Sequence, residues 1–491
     1  MPVTPARIGF LEMTGSLRVA CLLASLVAAT AASSSAQTFK TLYNFCSKTN
    51  SAGDCLDGRY PEMTLVQGTN GDLYGTTTLG GANNWGTVFK ITTAGKLTTL
   101  YSFCSQASCA DGSEPQGGLV LATNGSFYGV TGGGGAYGDG TVFKITAAGK
   151  LTSLHSFDRT DGAGPQSGLI QATNGNFYGT TPVDGAYGYG TAFEITASGT
   201  LTTLYSFCAG MCLDGSEPNG LIQATDGNFY GTTHGQGGCD SGTFFQLTTS
   251  GTLTTLADFC QPNGVYPNSA LVQAASGNLY GTTYAGGDGT NTGYGTVYEM
   301  TPTGSLTSLY SFCLQTGCSD GSDPQALILG TDGNFYGTTS SGGANNGTGT
   351  VFEITPTGQL TTLQTFTGST GTGPYGGALL LDTNGTFYGT TYGTIALGGK
   401  NWGTIFSLAT GLGPFIETIP ASGAAKTKVT ILGMNLKGAT AVNFNGTAAT
   451  FKVVSASEIT TTVPSGATSG TVTVTTSGGT TLDSYATFQV P

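Results

Sequence analysis

A Tyr-Gly step followed shortly by Gly-Thr-aliphatic-aromatic recurs seven times along this chain. The tyrosines are Tyr74, Tyr128, Tyr178, Tyr230, Tyr280, Tyr336 and Tyr388, and the partner steps open at Gly86, Gly140, Gly190, Gly242, Gly295, Gly349 and Gly403. A period near fifty, built from strand-like runs, means one supersecondary unit copied seven times, each relying on its neighbours to cover its apolar faces.

Within a unit, four β-rich runs alternate with turn signals. The first turn is Asn-Gly, Asp-Gly or Ser-Gly in every copy, at Asn70, Asn124, Asn174, Asp226, Ser276, Asp332 and Asn384. Such pairs accept the positive φ angles of a hairpin turn. A second X-Gly turn joins the third and fourth runs, as at Ala94-Gly95, so each unit reads as a four-stranded meander. Seven such sheets packed radially make a β-propeller, which leaves only short edges open. The fourth-run pattern Leu-Tyr-Ser-Phe has an additional copy at the start, Leu42-Tyr-Asn-Phe45, and none after Gly403-Thr-Ile-Phe406. The N-terminal strand is therefore expected to complete the last blade and close the ring.

Composition agrees with an all-β chain: 82 of 491 residues are Gly and only 9% are charged, with no sustained helical period after the N-terminus. Residues 1–36 differ. Arg7 and Arg18 precede an apolar run from Val19 to Ala32 and a small-residue stretch ending at Ala36, the layout of a cleaved secretory signal. The run is shorter than a bilayer span. The net charge of −12 is concentrated in the repeats, over 37–412, and repels phosphate backbones, so nucleic acid is excluded as an expected partner.

Cys21 lies in the expected signal. Of the other ten cysteines, eight fall as close pairs: Cys46 with Cys55, Cys104 with Cys109, Cys208 with Cys212, and Cys313 with Cys318. Cys239 and Cys260 remain. An even count after export reads as disulfides formed in an oxidising compartment. From about residue 413 to 491 the pattern changes to short alternating strands with frequent turns, which suits a small β-sandwich.

The phrase Asn/Asp-Gly-Asn-Phe-Tyr-Gly-Thr-Thr, followed by Gly-Gly and Gly-Thr-Val-Phe-Glu-Ile-Thr, resembles the GloVer tandem repeat of secreted bacterial proteins across roughly residues 39 to 410. That resemblance implies an exported, propeller-like protein and no established activity. The C-terminal stretch resembles an IPT/TIG immunoglobulin-like domain through Pro420-Ala-Ser-Gly, Thr430-Ile-Leu-Gly-Met-Asn, Val442-Asn-Phe-Asn-Gly and Val463-Pro. In extracellular proteins the resemblance implies a spacer or adhesive module.

Ligands are expected on the face where the long loops meet, because variable loops on a rigid scaffold host binding sites. Aromatic and histidine side chains that break the repeat there are Trp85, Tyr137, Tyr187, His234, Tyr284, Tyr294, Tyr392 and Trp402. Exposed rings beside Gly and Asn suit stacking on sugar faces, although packing between blades is the bland alternative. His155 replaces a repeat Tyr and reads as structural. Asp-Gly links between blades, usually with a Pro three or four residues after the Asp, supply a second candidate set: Asp111, Glu114, Asp214, Glu217, Asp320 and Asp323 could offer oxygens to Ca2+. Each such loop has only two carboxylates, so a turn fixed by Asp and Gly competes with that reading.

No Gly-Lys-Ser/Thr phosphate loop and no Gly-X-Ser-X-Gly elbow is present, and two His in total leave histidine catalysis poorly supplied. Catalysis is accordingly not expected, and no catalytic residue is assigned. No cofactor is expected, with Ca2+ the one candidate. The expected protein is a secreted or cell-surface monomer binding a glycan or another protein. A polysaccharide hydrolase or lyase and a purely structural envelope component are the alternatives.

Overall fold

A computed structural model describes residues 37–491 except 62, 288–292, 345–346, 369 and 394–401. The expected export signal, residues 1–36, lies outside the described residues. Seven antiparallel sheets follow one another along the chain. Blade 1 consists of Val66–Gln67, Leu73–Thr77, Thr87–Ile91 and Leu97–Ser102, joined in that order. Blades 2 to 6 repeat the meander, with first strands at Val120–Leu121, Ile170–Gln171, Ile222–Gln223, Val272–Gln273 and Ser322–Leu329. Blade 7 takes Leu380–Leu381, Thr386–Thr391 and Thr404–Ala409 from the end of the array. Its fourth strand is Thr38–Asn44, paired antiparallel with Thr404–Ala409. The ring closes as expected from the additional N-terminal copy.

The recurring residues explain themselves once the blades are stacked. The repeat Tyr of one blade lies against the Phe preceding the Tyr of the next: Tyr74 on Phe127 at 4.2 Å, Tyr128 on Phe177 at 4.0 Å and Tyr336 on Phe387 at 4.3 Å between ring centroids. A second aromatic row runs further out, where each fourth-strand Phe meets the third-strand ring of the following blade edge-on, as Phe103 meets Phe143 at 5.2 Å. The N-terminal strand supplies the last member of that row, Phe45 on Phe89 at 5.3 Å. Such pairs contribute roughly 0.5–1.5 kcal/mol each beyond their buried area. The Gly of Tyr-Gly lies beneath the third-strand ring; a Cβ on Gly75 would come within 2.7 Å of Phe89 Cζ. The paired threonines share a buried hydrogen bond across each blade, as Thr77 and Thr87 do at 2.8 Å.

The same alternation sets what faces the central bore. Leu65 and its equivalents are buried in the blades, while the next residue along, Val66, Val120, Ile170, Ile222, Val272, Ile328 or Leu380, is half-buried. Below this aliphatic belt, glutamines reach from one blade to the next: Gln171 accepts from Thr123 N–H at 2.9 Å, Gln223 from Thr173 N–H at 2.9 Å and Gln273 from Thr225 N–H at 3.0 Å. Leu121, Leu329 and Leu381 take the glutamine position in blades 2, 6 and 7.

The expected cysteine pairing is present throughout the array. Cys46 is bonded to Cys55, Cys104 to Cys109, Cys208 to Cys212 and Cys313 to Cys318, and the two left over, Cys239 and Cys260, bond each other. The four close pairs each staple a loop just beyond a fourth strand. The Cys239–Cys260 bridge instead ties the loop between the second and third strands of blade 4 to the end of its fourth strand.

The C-terminal module is a sandwich of two four-stranded sheets. One holds Glu417–Ile419, Lys428–Leu432, Glu458–Thr462 and Phe451–Val453; the other holds Thr447–Ala448, Ala441–Phe444, Val472–Thr475 and Thr481–Asp483. Val429, Ile431, Val442, Phe444, Ile459 and Val474 share its core. The module docks on the propeller's underside near breaks in the glutamine ladder. Ser457 donates to Thr69 O at 2.7 Å, Tyr485 OH to Leu329 O, and Phe415 N–H to Thr383 O at 3.1 Å. Leu432 and Ile419 join the apolar cluster around Tyr74, and Phe415 and Tyr485 join the one around Tyr336.

Candidate ligand site at the mouth of the bore

Each link between blades ends in a residue followed by proline: Tyr60-Pro61, Glu114-Pro115, Gly164-Pro165, Glu217-Pro218, Tyr266-Pro267, Asp323-Pro324 and Gly373-Pro374. A residue before proline ordinarily extends, yet all seven are left-handed, with φ between 54° at Gly373 and 60° at Tyr266 and Gly164. Five of them carry side chains, for which this conformation is costly. The surroundings hold it in place. Each N–H donates to the carbonyl just before the Gly of the preceding blade's Gly-Thr step, as Glu114 does to Trp85 O at 3.0 Å and Tyr60 does to Trp402 O at 2.9 Å. The following proline fills the space that glycine leaves; a Cβ on Gly86 would meet Pro115 Cδ at 2.5 Å. One backbone device thus presents five side chains of three kinds, Tyr, Glu and Asp, and two glycines at the loop-rich end of the bore. The next residue after each proline is Gln116, Gln166, Asn219, Asn268, Gln325 or Tyr375; the remaining copy, residue 62, is not described.

On one arc these positions frame a cavity of about 510 Å³, lined by His234, Asn268, Tyr284, Asp323, Ser340, Ser341, Gly373, Tyr375 and Tyr392. Its aromatic side chains are open to solvent: Tyr284 is 47%, Tyr375 54% and Tyr392 36% exposed. A file of rings leads away from it. Tyr375 lies 6.2 Å from Tyr392, Tyr392 stacks on Tyr60 at 4.7 Å, and Tyr60 meets Trp402 edge-on at 5.7 Å. The Arg59 guanidinium sits 5.3 Å from the centre of Trp402, a cation–π contact that steadies the far end of the file. His234 Nδ1 is 3.3 Å from Pro267 O, and its ring is 5.4 Å from Tyr266. Burial pushes the Asp323 carboxyl above its ordinary value, against a hydrogen bond from Ser341. Asn268 and Tyr375 also line the bore beneath, a cavity of about 570 Å³ with Gln116, Gln166, Asn219 and Ser269 on its wall. Rings and hydroxyls dominate the mouth, and the bore adds amides and hydroxyls to an aliphatic wall. This donor set fits a hydroxyl-rich, uncharged ligand.

His234, Tyr284 and Tyr392, singled out from the sequence, come together here, and Trp402 joins them through Tyr60. Trp85 and Tyr294 hold the pre-proline residues through their carbonyls, and their side chains are 42% and 49% exposed outside this cavity. Tyr137 and Tyr187 stand exposed on the loops of blades 2 and 3, also outside it. Sequence reasoning missed Tyr375, Tyr60 and Asn268. Aligning the seven copies on the link proline, with Tyr375 where others have Gln or Asn, would have exposed the first.

The acidic link residues divide by role. Asp111, Asp214 and Asp320 accept hydrogen bonds from the outer-strand hydroxyls of Tyr101, Tyr205 and Tyr310 at 2.6, 2.8 and 2.8 Å. Burial raises the Asp111 carboxyl's pKa, but hydrogen bonds from Tyr101 and Ser105 outweigh it and hold the group below its ordinary value. His155 makes the equivalent contact, Nε2 to Asp161 at 2.6 Å, in place of the repeat Tyr. Glu114, Glu217 and Asp323 occupy the left-handed positions at the mouth instead. Among the described residues, no group of three or more His, Cys, Asp or Glu is placed to share a metal ion.

Fold and site together define a seven-bladed propeller with an immunoglobulin-like module seated on its underside and an aromatic cleft at the opposite mouth. The chain belongs to the Gloeobacter/Verrucomicrobia repeat family, matched over residues 28–189 and 170–406, and carries an IPT/TIG domain over 414–490. No curated protein matches it. Among solved structures it is similar to a candidate 6-phosphogluconolactonase of Bacteroides uniformis, at 17% identity over 65% of this chain and 88% of that one, with a TM-score of 0.44. A gluconolactonase of Xanthomonas campestris is 14% identical over 64% and 90%, with a TM-score of 0.38. The extracellular domain of a candidate hybrid two-component system of Bacteroides thetaiotaomicron is 11% identical over 87% of this chain, which spans about half of that one (52%), with a TM-score of 0.47. Likeness at this level bears on neither activity nor ligand. Among the described residues, no helix is long and apolar enough to cross a membrane.

Proposed function

We propose that this chain is an exported binding protein that holds a neutral glycan at the mouth of the bore. The observation that carries the reading is the cavity in which exposed Tyr284, Tyr375 and Tyr392 surround Asn268 and Ser340. Tyrosines offer flat apolar faces for sugar rings at low entropic cost, while amides and hydroxyls can exchange hydrogen bonds with sugar hydroxyls. The five disulfides fit an oxidising compartment, and residues 1–36 fit an export signal cut after Ala36, which N-terminal sequencing of secreted protein would check. Calorimetric titration of glycans against the mature chain and Tyr392→Ala tests the reading. Binding lost in the variant supports it; no binding across a broad glycan array removes it. A second reading, a polysaccharide-active enzyme, draws on Asp323 and His234 lining the same cavity, Asp323 with its carboxyl pushed up by burial. Release of reducing ends that disappears in Asp323→Asn would favour it.

A further inference from the structure

The mouth is only the top of a longer space. It shares Asn268 and Tyr375 with the bore, and the bore shares Ile170 and Ile222 with a third cavity of about 430 Å³ at the propeller's base. That basal cavity is walled by Val120, Leu121, Ala172 and Ala224 from blades 2 to 4, and it is floored by Ile419, Pro420, Ala421 and Ala486 of the immunoglobulin-like module. The module also touches blades 1, 6 and 7, through Thr69, Leu329 and Thr383. The module therefore touches blades 1, 2, 6 and 7 and faces blades 3 and 4 across the basal cavity, so it lies over the lower end of the shaft while Ala421 stays exposed.

Polarity changes in order along this shaft. The mouth has tyrosines, His234 and the Asp323 carboxyl; the upper bore has Gln116, Gln166, Asn219 and Asn268; the belt below is Val, Ile and Leu; the base mixes aliphatic side chains and Pro420 with uncharged polar ones, Gln171, Gln223 and Gln489 among them. No charged side chain among the described residues lines the bore or the base. A sugar alone would leave the belt and the aliphatic part of the base facing water without use, whereas a polar head with an apolar tail matches the mouth and the belt beneath it. We propose that the ligand is an amphiphile, a glycan bearing one alkyl or acyl chain, with its sugar at the tyrosines and its tail running past Ile170 and Ile222 to the floor made by the module. The proposal rests on the glycan reading for its head and adds the tail independently.

The experiment is calorimetric titration of the mature chain with alkyl glycosides of glucose, galactose and maltose, methyl through octyl, below their micelle concentrations. Straight-chain fatty acids of matching length serve as the second arm. Affinity should rise about fourfold for each methylene that enters the belt. Ala421→Trp, which fills the base from an exposed position on the module, should flatten that rise and leave the methyl glycosides unchanged. Tyr392→Ala should weaken every glycoside alike. Equal affinity from methyl to octyl overturns the tail while leaving the glycan reading standing. Fatty acids that bind as well as glycosides of the same length overturn the sugar head. Absence of binding by the whole panel overturns the proposal outright.

Discussion

The two ends of the bore are built on one sevenfold backbone and use it in opposite ways. At the mouth the backbone is held constant, left-handed before every link proline, and the side chains change: Tyr, Glu, Gly, Glu, Tyr, Asp, Gly. At the underside the side chains repeat as a glutamine ladder, and the exceptions, Leu121, Leu329 and Leu381, sit in or beside the blades that carry the module. Variation at the mouth diversifies a surface that faces water, where a substitution costs little. Variation at the underside marks a seam, where a substitution alters what two domains bury. A repeat array therefore separates recognition from assembly by which positions drift from the consensus and what covers them.

Both ends depend on the ring being shut. Removing residues 37–46 takes away the fourth strand of blade 7, the Phe45–Phe89 contact and the Cys46 half of the Cys46–Cys55 disulfide. Losing the buried Phe45 alone costs about 3–5 kcal/mol, which in an array of this length lowers the melting temperature by roughly 4 °C or more, and the lost strand pairing and disulfide should lower it further. An unchanged melt would mean that mouth and underside are held by the other six blades and need no closure.

The underside should respond to pH, and Asp382 is the reason. It stands where blades 2 to 5 have alanine, is 3% exposed, and has its carboxyl pushed up to about 7 by burial, against a hydrogen bond from Thr383 N–H and with the Glu417 charge adding to the rise. A carboxyl that binds its proton more tightly when folded favours folding at low pH. Its contribution is fully present near the unfolded value of 3.8 and is lost as pH climbs to about 7. At pH 8 the folded chain carries the whole penalty, of order a few kcal/mol. Asp382→Asn should stabilise the protein at pH 8, change little at pH 4, and flatten the slope between, as read from denaturant midpoints. Ligand affinity at the mouth should follow none of this.

The mouth should show the reverse separation. Tyr392 is 36% exposed and stacks on Tyr60, so Tyr392→Ala should weaken glycan binding about tenfold while stability shifts by no more than about 1 kcal/mol. A variant that loses stability in proportion to affinity would place the ring in the packing between blades 7 and 1 and not in recognition.

Much of this contrast was legible before any coordinates. Blade number, strand order and closure follow from the Tyr-Gly period and the additional Leu-Tyr-Asn-Phe copy, because each repeated residue has one fixed packing duty, Tyr74 against Phe127 and Gly75 beneath Phe89. Tyr284, Tyr392 and His234 stood out because they break the run after Thr-Thr. Tyr60 and Tyr375 did not, because the links were read for carboxylates, and residues before proline are expected to extend. Their left-handed turn is imposed by the neighbouring blade's carbonyl and glycine, which no local window contains. The seat of the module was hidden for the same reason, since Leu329 and Tyr485 meet only in three dimensions.

The smallest effect tests whether the mouth stores strain for function. Glu217 is held at φ 57° with its side chain exposed, while Gly164 and Gly373 occupy equivalent positions without a Cβ. Left-handed backbone costs a side-chain-bearing residue about 1–2 kcal/mol, and glycine gives back roughly 0.5–1 kcal/mol of that through its freer unfolded chain. Glu217→Gly should therefore stabilise the protein by about 0.5 kcal/mol, with the N–H bond to Tyr189 O at 3.1 Å kept. A chemical melt resolves a change of that size when the midpoint moves and the slope stays constant. Destabilisation instead would mean that the Glu217 side chain makes contacts worth more than its strain, and the mouth would then be assembled by the same rules as the underside.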